Sequence, residues 1–244
     1  MVIFAVASIL HGISGLGVTL VTTTALASLY DFSYAIILSL FPALALNAMT
    51  WLIGDGKIWH NFSYYLRKYW LLALMSLIGS IIGAKLLLII DSAYLQLALA
   101  VVVGFYVVKS LTGKQLKLPD TKPVLIVTGL VAGIVGGATN AMSSILLMYL
   151  LSMTDDKNTI AKVGNMCYLL GKFAQIFVLY EPIKALSGDE WTLIGGLTLA
   201  SIVFLILGIR LRRYLPQHRF RQLILLILTV LGLKVGWQGL TGLF

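Results

Sequence analysis

Long apolar stretches alternate with short polar ones along almost the whole chain. The apolar stretches run over about 2–30, 34–53, 70–90, 93–111, 123–151, 159–180, 191–209 and 222–243. A helix of about 20 apolar residues crosses the hydrocarbon core of a bilayer. The polar stretches Gly54–Tyr69, Lys109–Lys122, Glu181–Glu190 and Arg210–Arg221 leave no room for a water-soluble domain. The pattern predicts an all-α polytopic membrane protein. Met1–Leu10 is already apolar and has neither a basic region before it nor a small-residue cleavage site. It therefore reads as part of the first membrane element rather than a signal peptide.

The pattern also repeats. Gly12-Ile13-Ser14-Gly15-Leu16-Gly17-Val18-Thr19 lies over Gly133-Ile134-Val135-Gly136-Gly137-Ala138-Thr139-Asn140, Asn47-Ala48-Met49 over Asn165-Met166-Cys167, and Gly83-Ala84-Lys85-Leu86 over Gly208-Ile209-Arg210-Leu211. The offsets are 121, 118 and 125, in the same order along the chain. Three ordered matches point to a duplication, with a first membrane repeat over 1–116 and a second over 117–244.

Basic residues choose between two topologies. If each of the eight segments crosses once, eight Lys and Arg fall on either side, which is no bias. If segments one and five enter and return on the same side, the division becomes fourteen against two, with only Lys85 and Lys184 on the poor side. Cytoplasmic loops carry the excess of Lys and Arg, so the second topology is preferred. Each repeat then consists of a glycine-broken re-entrant hairpin plus three transmembrane helices, and the two repeats are inverted. The hairpin arms should be about a dozen residues, reaching about 18 Å. The alternative is eight simple transmembrane helices.

The breaks are where chemistry is expected. Each glycine in a helix interior costs roughly 1 kcal/mol relative to alanine, so Gly12, Gly15, Gly17 and Gly133, Gly136, Gly137 mark either breaks or close helix packing. Thr19, Thr22, Thr23 and Thr24 follow the first cluster, and Thr139, Asn140, Ser143 and Ser144 the second. A helix starting at mid-membrane directs free N–H groups and the positive end of its dipole at one spot, which suits an anion. The candidate substrate-binding residues are Ser14, Gly15, Gly17, Thr19, Thr22, Asn47, Gly136, Gly137, Thr139, Asn140, Ser143 and Asn165. Together they predict a neutral cradle in which no single positive side chain is indispensable. Lys172 shares a helix face with Asn165 and can attract an anion, although snorkelling to the outer interface is the preferred reading. His11, beside the first break, is a candidate proton carrier without a counterpart in the second half, where Ala132 stands. All nine carboxylates lie in loops or at segment ends, which argues against a buried cation site.

Composition narrows the class further. Of 244 residues 59% are hydrophobic and 11% charged, against about 25% charged in soluble domains, and the mean hydropathy is +0.97. The net charge of +9 sits in short loops, where it serves topology and lipid headgroups rather than nucleic acid. The single cysteine, Cys167, cannot form an internal disulfide. No cofactor, metal site or catalytic residue is predicted. The expected partners are a small anion and the bilayer, and a homo-oligomer is compatible with the pattern.

The glycine-rich hairpin, the Asn-bearing span after it, the basic loop that follows and the repetition of all three resemble the sulfite exporter TauE/SafE family over nearly the whole chain. The resemblance implies a transporter of a small sulfur-containing or organic anion, such as sulfite or a sulfonate, in the bacterial inner membrane. Members more often carry a run of consecutive glycines at each break. Here the breaks read Gly15-Leu16-Gly17 and Gly136-Gly137-Ala138. Three other readings compete: a passive anion channel, a non-transporting membrane scaffold or assembly protein, and an intramembrane serine protease. The last rests on Gly12-Ile13-Ser14-Gly15. It needs a base within reach of Ser14, and the duplicate break has Val135 in place of the serine.

Overall fold

In the computed structural model the described residues are 1–15, 17–26, 29–53, 57–111, 118–119, 121–212, 214 and 217–242. The expected boundary between repeats, at 116/117, lies outside them, as does Leu16 in the first break. The described residues form helices α1 (Val2–Ser14), α2 (Val18–Leu26), α3 (Phe32–Leu52), α4 (Ile58–Leu87), α5 (Ser92–Leu111), α6 (Lys122–Thr139), α7 (Met142–Met153), α8 (Lys157–Val178), α9 (Tyr180–Lys184), α10 (Gly188–Arg212) and α11 (Gln217–Thr241), with no strand among them. Of these, α3, α4, α6 and α10 are long and apolar enough to cross a membrane.

Capping sets several boundaries. Asp31 accepts from the N–H groups of Ser33 and Tyr34 at the start of α3, and Asp156 accepts from those of Asn158 and Thr159 at the start of α8. These N–H groups would otherwise lack a partner. The polar stretch Gly54–Tyr69, expected as a loop, is largely helical: α4 begins at Ile58 and bends at Tyr69, where φ is −118° and ψ 23°. Its first turns turn Trp59, His60, Arg67 and Lys68 outward, and the apolar part follows the bend.

The two glycine clusters do different jobs. At the first, Gly15 and Gly17 hold φ of 76° and 96°, so α1 ends there and α2 starts at Val18. At the second, the expected break at Gly136–Gly137 does not occur. α6 runs on to Thr139, and the chain turns at Asn140, the non-glycine residue with positive φ (62°) among those described. α6 is thus 18 residues long, about 27 Å, not a dozen. Its glycines serve close packing instead. A Cβ on Gly133 would lie 2.3 Å from the Ser76 carbonyl oxygen, and one on Gly137 2.3 Å from that of Ser80, both on α4. Gly12 and Gly208 play the same part between α1 and α10, where a Cβ on Gly12 would lie 2.6 Å from the Leu205 oxygen.

The contacts also fix helix directions. Gly129 meets Leu72 and Gly137 meets Ala84, so α6 runs parallel to α4. Gly208 meets Ile9 and Arg212 reaches Ile13, so α10 runs parallel to α1. α3 and α8 are antiparallel: Ile36, Ile37 and Leu40 pack with Leu179 and Ile183, while Lys162 donates to the carbonyls of Trp51 and Ile53. α5 and α11 are antiparallel too, Gly236 meeting Ala100 and Gly242 meeting Ala93. Phe4 of α1 and Leu26 of α2 share one cluster with Ala35 and Leu38.

α7 is buried on every side from Met142 to Leu151, the mark of a helix surrounded by protein. The outer faces are the reverse: Leu199 and Val203 of α10, Val101 of α5 and Leu233 of α11 are each at least 65% exposed. Apolar exposure on this scale matches a lipid-facing surface.

The glycine contacts give a direct test. Gly133→Val forces a side chain into the α4 backbone, and overpacking costs about 1–3 kcal/mol or more. It should lower the thermal unfolding midpoint in detergent markedly. Gly195→Ala, where a Cβ meets open space, should leave the midpoint unchanged or raise it. Equal midpoints for the two variants would contradict the packing described.

Candidate functional site

The left-handed turn at Asn140 places that side chain at the junction of four helices. Its Nδ2 donates to Thr23 Oγ1 of α2 at 2.8 Å and to Ser39 Oγ of α3 at 3.1 Å. Its Oδ1 accepts from Lys172 Nζ and, at 2.9 Å, from Gln175 Nε2, both on α8. Its backbone oxygen accepts from Thr19 Oγ1 at 2.9 Å, joining the two breaks directly. Gln175 closes the network, taking Lys172 Nζ on its Oε1 at 2.6 Å and giving Nε2 to the Gly137 oxygen at 3.0 Å.

A small cavity opens beside this network, lined by Thr19, Gly136, Asn140, Met142, Ser143, Tyr168, Gly171, Lys172 and Gln175. About 250 Å³ in and at the mouth of the cavity is free of atoms, and its free core fits about one water molecule. Ser143, in the first turn of α7, is 4% exposed and its hydroxyl has no partner. The Ser144 hydroxyl, also buried, has none either.

Of the sequence candidates, Thr19, Gly136, Asn140, Ser143 and Lys172 therefore meet at one cavity. The others do not line it. Ser14 gives its hydroxyl to the Leu10 carbonyl, Thr22 to that of Val18 and Thr139 to that of Val135, each within its own helix. Gly15 packs on Ala161, and its oxygen accepts from Asn165 Nδ2 at 2.7 Å. Gly17 faces open space. Gly137 turns its Cα to α4 and offers only its carbonyl to Gln175. Asn47 is 1% exposed, with Nδ2 unpartnered. His11 is buried near Asn165 and Arg212, away from the cavity.

Two expectations change. Lys172 does not snorkel: it is 5% exposed, held inward by Asn140 and Gln175. A basic side chain therefore stands in the cavity wall beside the neutral groups expected there. The comparison with the other two buried cations sharpens this. Lys162 sits on the last carbonyls of α3, and Arg212 gives Nε to the oxygens of Gly12 and Ile13 at the end of α1. Both occupy the favourable end of a helix dipole. Lys172 lies beside the end of α6 as well, but the acceptors it reaches there are the side-chain amide oxygens of Asn140 and Gln175 rather than helix-end carbonyls. Gln175 and Tyr168 were missed from sequence. Their spacing of three and four residues from Lys172 on one helix was the available signal.

Four helices long and apolar enough to cross a membrane, and two helix pairs meeting at a cavity with a buried lysine in its wall, define a polytopic membrane protein. The profile of the sulfite exporter TauE/SafE family matches residues 1–235. The chain belongs to that family, a family of membrane transporters. No curated protein and no solved structure gives a significant match.

Asn140 carries two separable loads, a left-handed backbone and four side-chain hydrogen bonds. Asn140→Ala removes the bonds and keeps the strain, whereas Asn140→Gly removes both. A left-handed residue with a Cβ costs roughly 1–2 kcal/mol, so the glycine variant should unfold at the higher temperature of the two. Differential scanning fluorimetry in detergent makes the comparison, and a lower midpoint for glycine would refute the backbone assignment.

Proposed function

We propose that this chain carries a small oxyanion of the sulfite or sulfonate kind across the bacterial inner membrane, bound at the cavity walled by Thr19, Asn140, Ser143, Lys172 and Gln175. The observation that carries the reading is Lys172, a lysine buried at a cavity whose acceptors are uncharged. Burying a charge is expensive, and an entering anion offsets that cost directly. Ser143 adds an unused hydroxyl and the first turn of α7 adds free N–H groups. Because the free core is only about water-sized, the anion must replace Asn140 Oδ1 and Gln175 Oε1 as the ammonium's partner while the walls part. A cavity whose free core holds about one water suits a carrier better than an open channel.

The helix directions support the hairpin topology that the charge count favours. Inverted repeats run α3 against α8 and α5 against α11, as found, whereas eight single crossings would make both pairs parallel. Phe4 and Leu26 lying in one cluster fits a first segment that returns to its own side. For the second, Asn140 sits at the level of Lys172, while Lys162, just beyond α7, sits at the level of Trp51 and Tyr65. That placement fits a chain coming back along α7. Broken helices at the interface of inverted repeats are a recurrent transporter design.

Isothermal titration of purified protein with sulfite tests the site. Losing a hydrogen bond from a charged group costs about 1.5–3 kcal/mol, so Lys172→Gln should weaken binding at least tenfold. Gln175→Ala should weaken it about threefold to tenfold. Undiminished affinity in Lys172→Gln would rule out a site built on this lysine. Topology has its own test in a Cys167→Ala background. Lys57→Cys and Asp155→Cys should label from the same side of the membrane, and Asp91→Cys and Asp189→Cys from the other. Labelling of positions 57 and 155 from opposite sides would establish eight single crossings instead.

A further inference from the structure

We infer that Lys172 also carries the coupling ion: a proton travels on its Nζ with each anion, and leaves when the anion leaves. This rests on the transport reading above and adds what drives it. The charge state of the cavity depends on very few groups. Lys172 is held by Asn140 from the α6–α7 turn and by Gln175 from its own helix. The facing elements contribute Thr19 from α2, Ser143 from α7 and, against neighbouring Gly171, Ser80 from α4. Ser39 of α3 joins through Asn140. The other titratable groups on this side of α8 are the Tyr168 phenol, which lines the cavity, and the Cys167 thiol, turned to Ser76, both neutral in the physiological range. Arg212 and Lys162 are engaged at the ends of α1 and α3. No carboxylate among the described residues reaches the ammonium.

In that setting the anion and the proton on Nζ are each other's counter-ion. With an anion bound, the ammonium is paired and the site is neutral for a monovalent substrate. With the anion gone, an ammonium stays buried against amide dipoles alone, whereas a neutral amine remains compatible with both amide groups, since Nζ still has hydrogens to donate. Binding of the anion therefore strengthens binding of the proton, and by reciprocity the proton strengthens binding of the anion. On loading, the Nζ lone pair takes a proton from water on the side where the anion enters. On release, that N–H bond breaks and the proton returns to water on the other side. The empty carrier that resets is uncharged. A buried histidine or carboxylate is the more usual relay; here the histidine buried among the described residues, His11, lies away from the cavity.

Proteoliposomes holding a trapped pH dye test this with methanesulfonate, a fully ionised probe that carries no proton of its own. The membrane potential is clamped at zero with potassium and valinomycin. An inward methanesulfonate gradient should acidify the lumen by about one proton per anion taken up. Lys172→Arg, whose guanidinium does not release its proton, should lose this acidification, and any anion still moving should carry net charge. Methanesulfonate uptake by the wild type without proton movement would overturn the inference while leaving the transport reading intact. So would undiminished acidification in Lys172→Arg. Absence of wild-type uptake of both methanesulfonate and sulfite would sink the transport reading, and this inference with it.

Discussion

A helix that stops inside an apolar medium leaves its last carbonyls and the next helix's first N–H groups without water to satisfy them. The architecture of this protein follows from meeting that demand at two places. At the first break the freed oxygens of Gly12 and Ile13 are taken by Arg212, and that of Gly15 by Asn165. At the second, those of Gly136 and Gly137 face Gln175, and that of Asn140 accepts from Thr19. Each donor arrives from a different part of the chain. The breaks therefore exist only in the assembled fold, and the side chains that complete them are the ones that shape the cavity.

α8 is the element on which both solutions converge. Asn165 serves one break and Gln175 the other, ten residues and about 15 Å apart along the helix. Lys172 sits between them in sequence and close to the second. A lysine in this position is costly to bury in its charged form, and its retention next to an unused hydroxyl is the kind of local conflict that marks function rather than stability. The other two buried cations differ in what they touch: Lys162 relieves the carbonyls of Trp51 and Ile53, and Arg212 those of Gly12 and Ile13.

Much of the helical pattern was legible in the sequence, because long apolar runs have few other ways to fold in a membrane. Matched glycines and asparagines gave the expectation of a duplication, and the positive-φ glycines of the first break were legible from their spacing. The second break could not. Gly136 and Gly137 look like a break, yet the close approach of α4 is what they serve, and a glycine kept for packing has the same letter as one kept for its backbone freedom. Asn140 was recognised as a binding candidate but not as the turn itself. The partnership of Lys172 with Asn140 depends on where α6 ends, three residues beyond the expected point, so the lysine's inward direction was hidden until the turn was placed.

The hydrogen bond from Thr19 to the Asn140 carbonyl has a mechanical meaning. It is a direct polar link between the starts of two short helices that belong to different halves of the molecule, and a single neutral bond of this kind is worth only about 0.5–1.5 kcal/mol. With the bonds from Asn140 to Thr23 and Ser39 it makes the seam between the two breaks a few hydrogen bonds given by side chains, unlike the backbone contact of the glycine-locked pairs α1–α10 and α4–α6. That polar seam lies directly over the cavity.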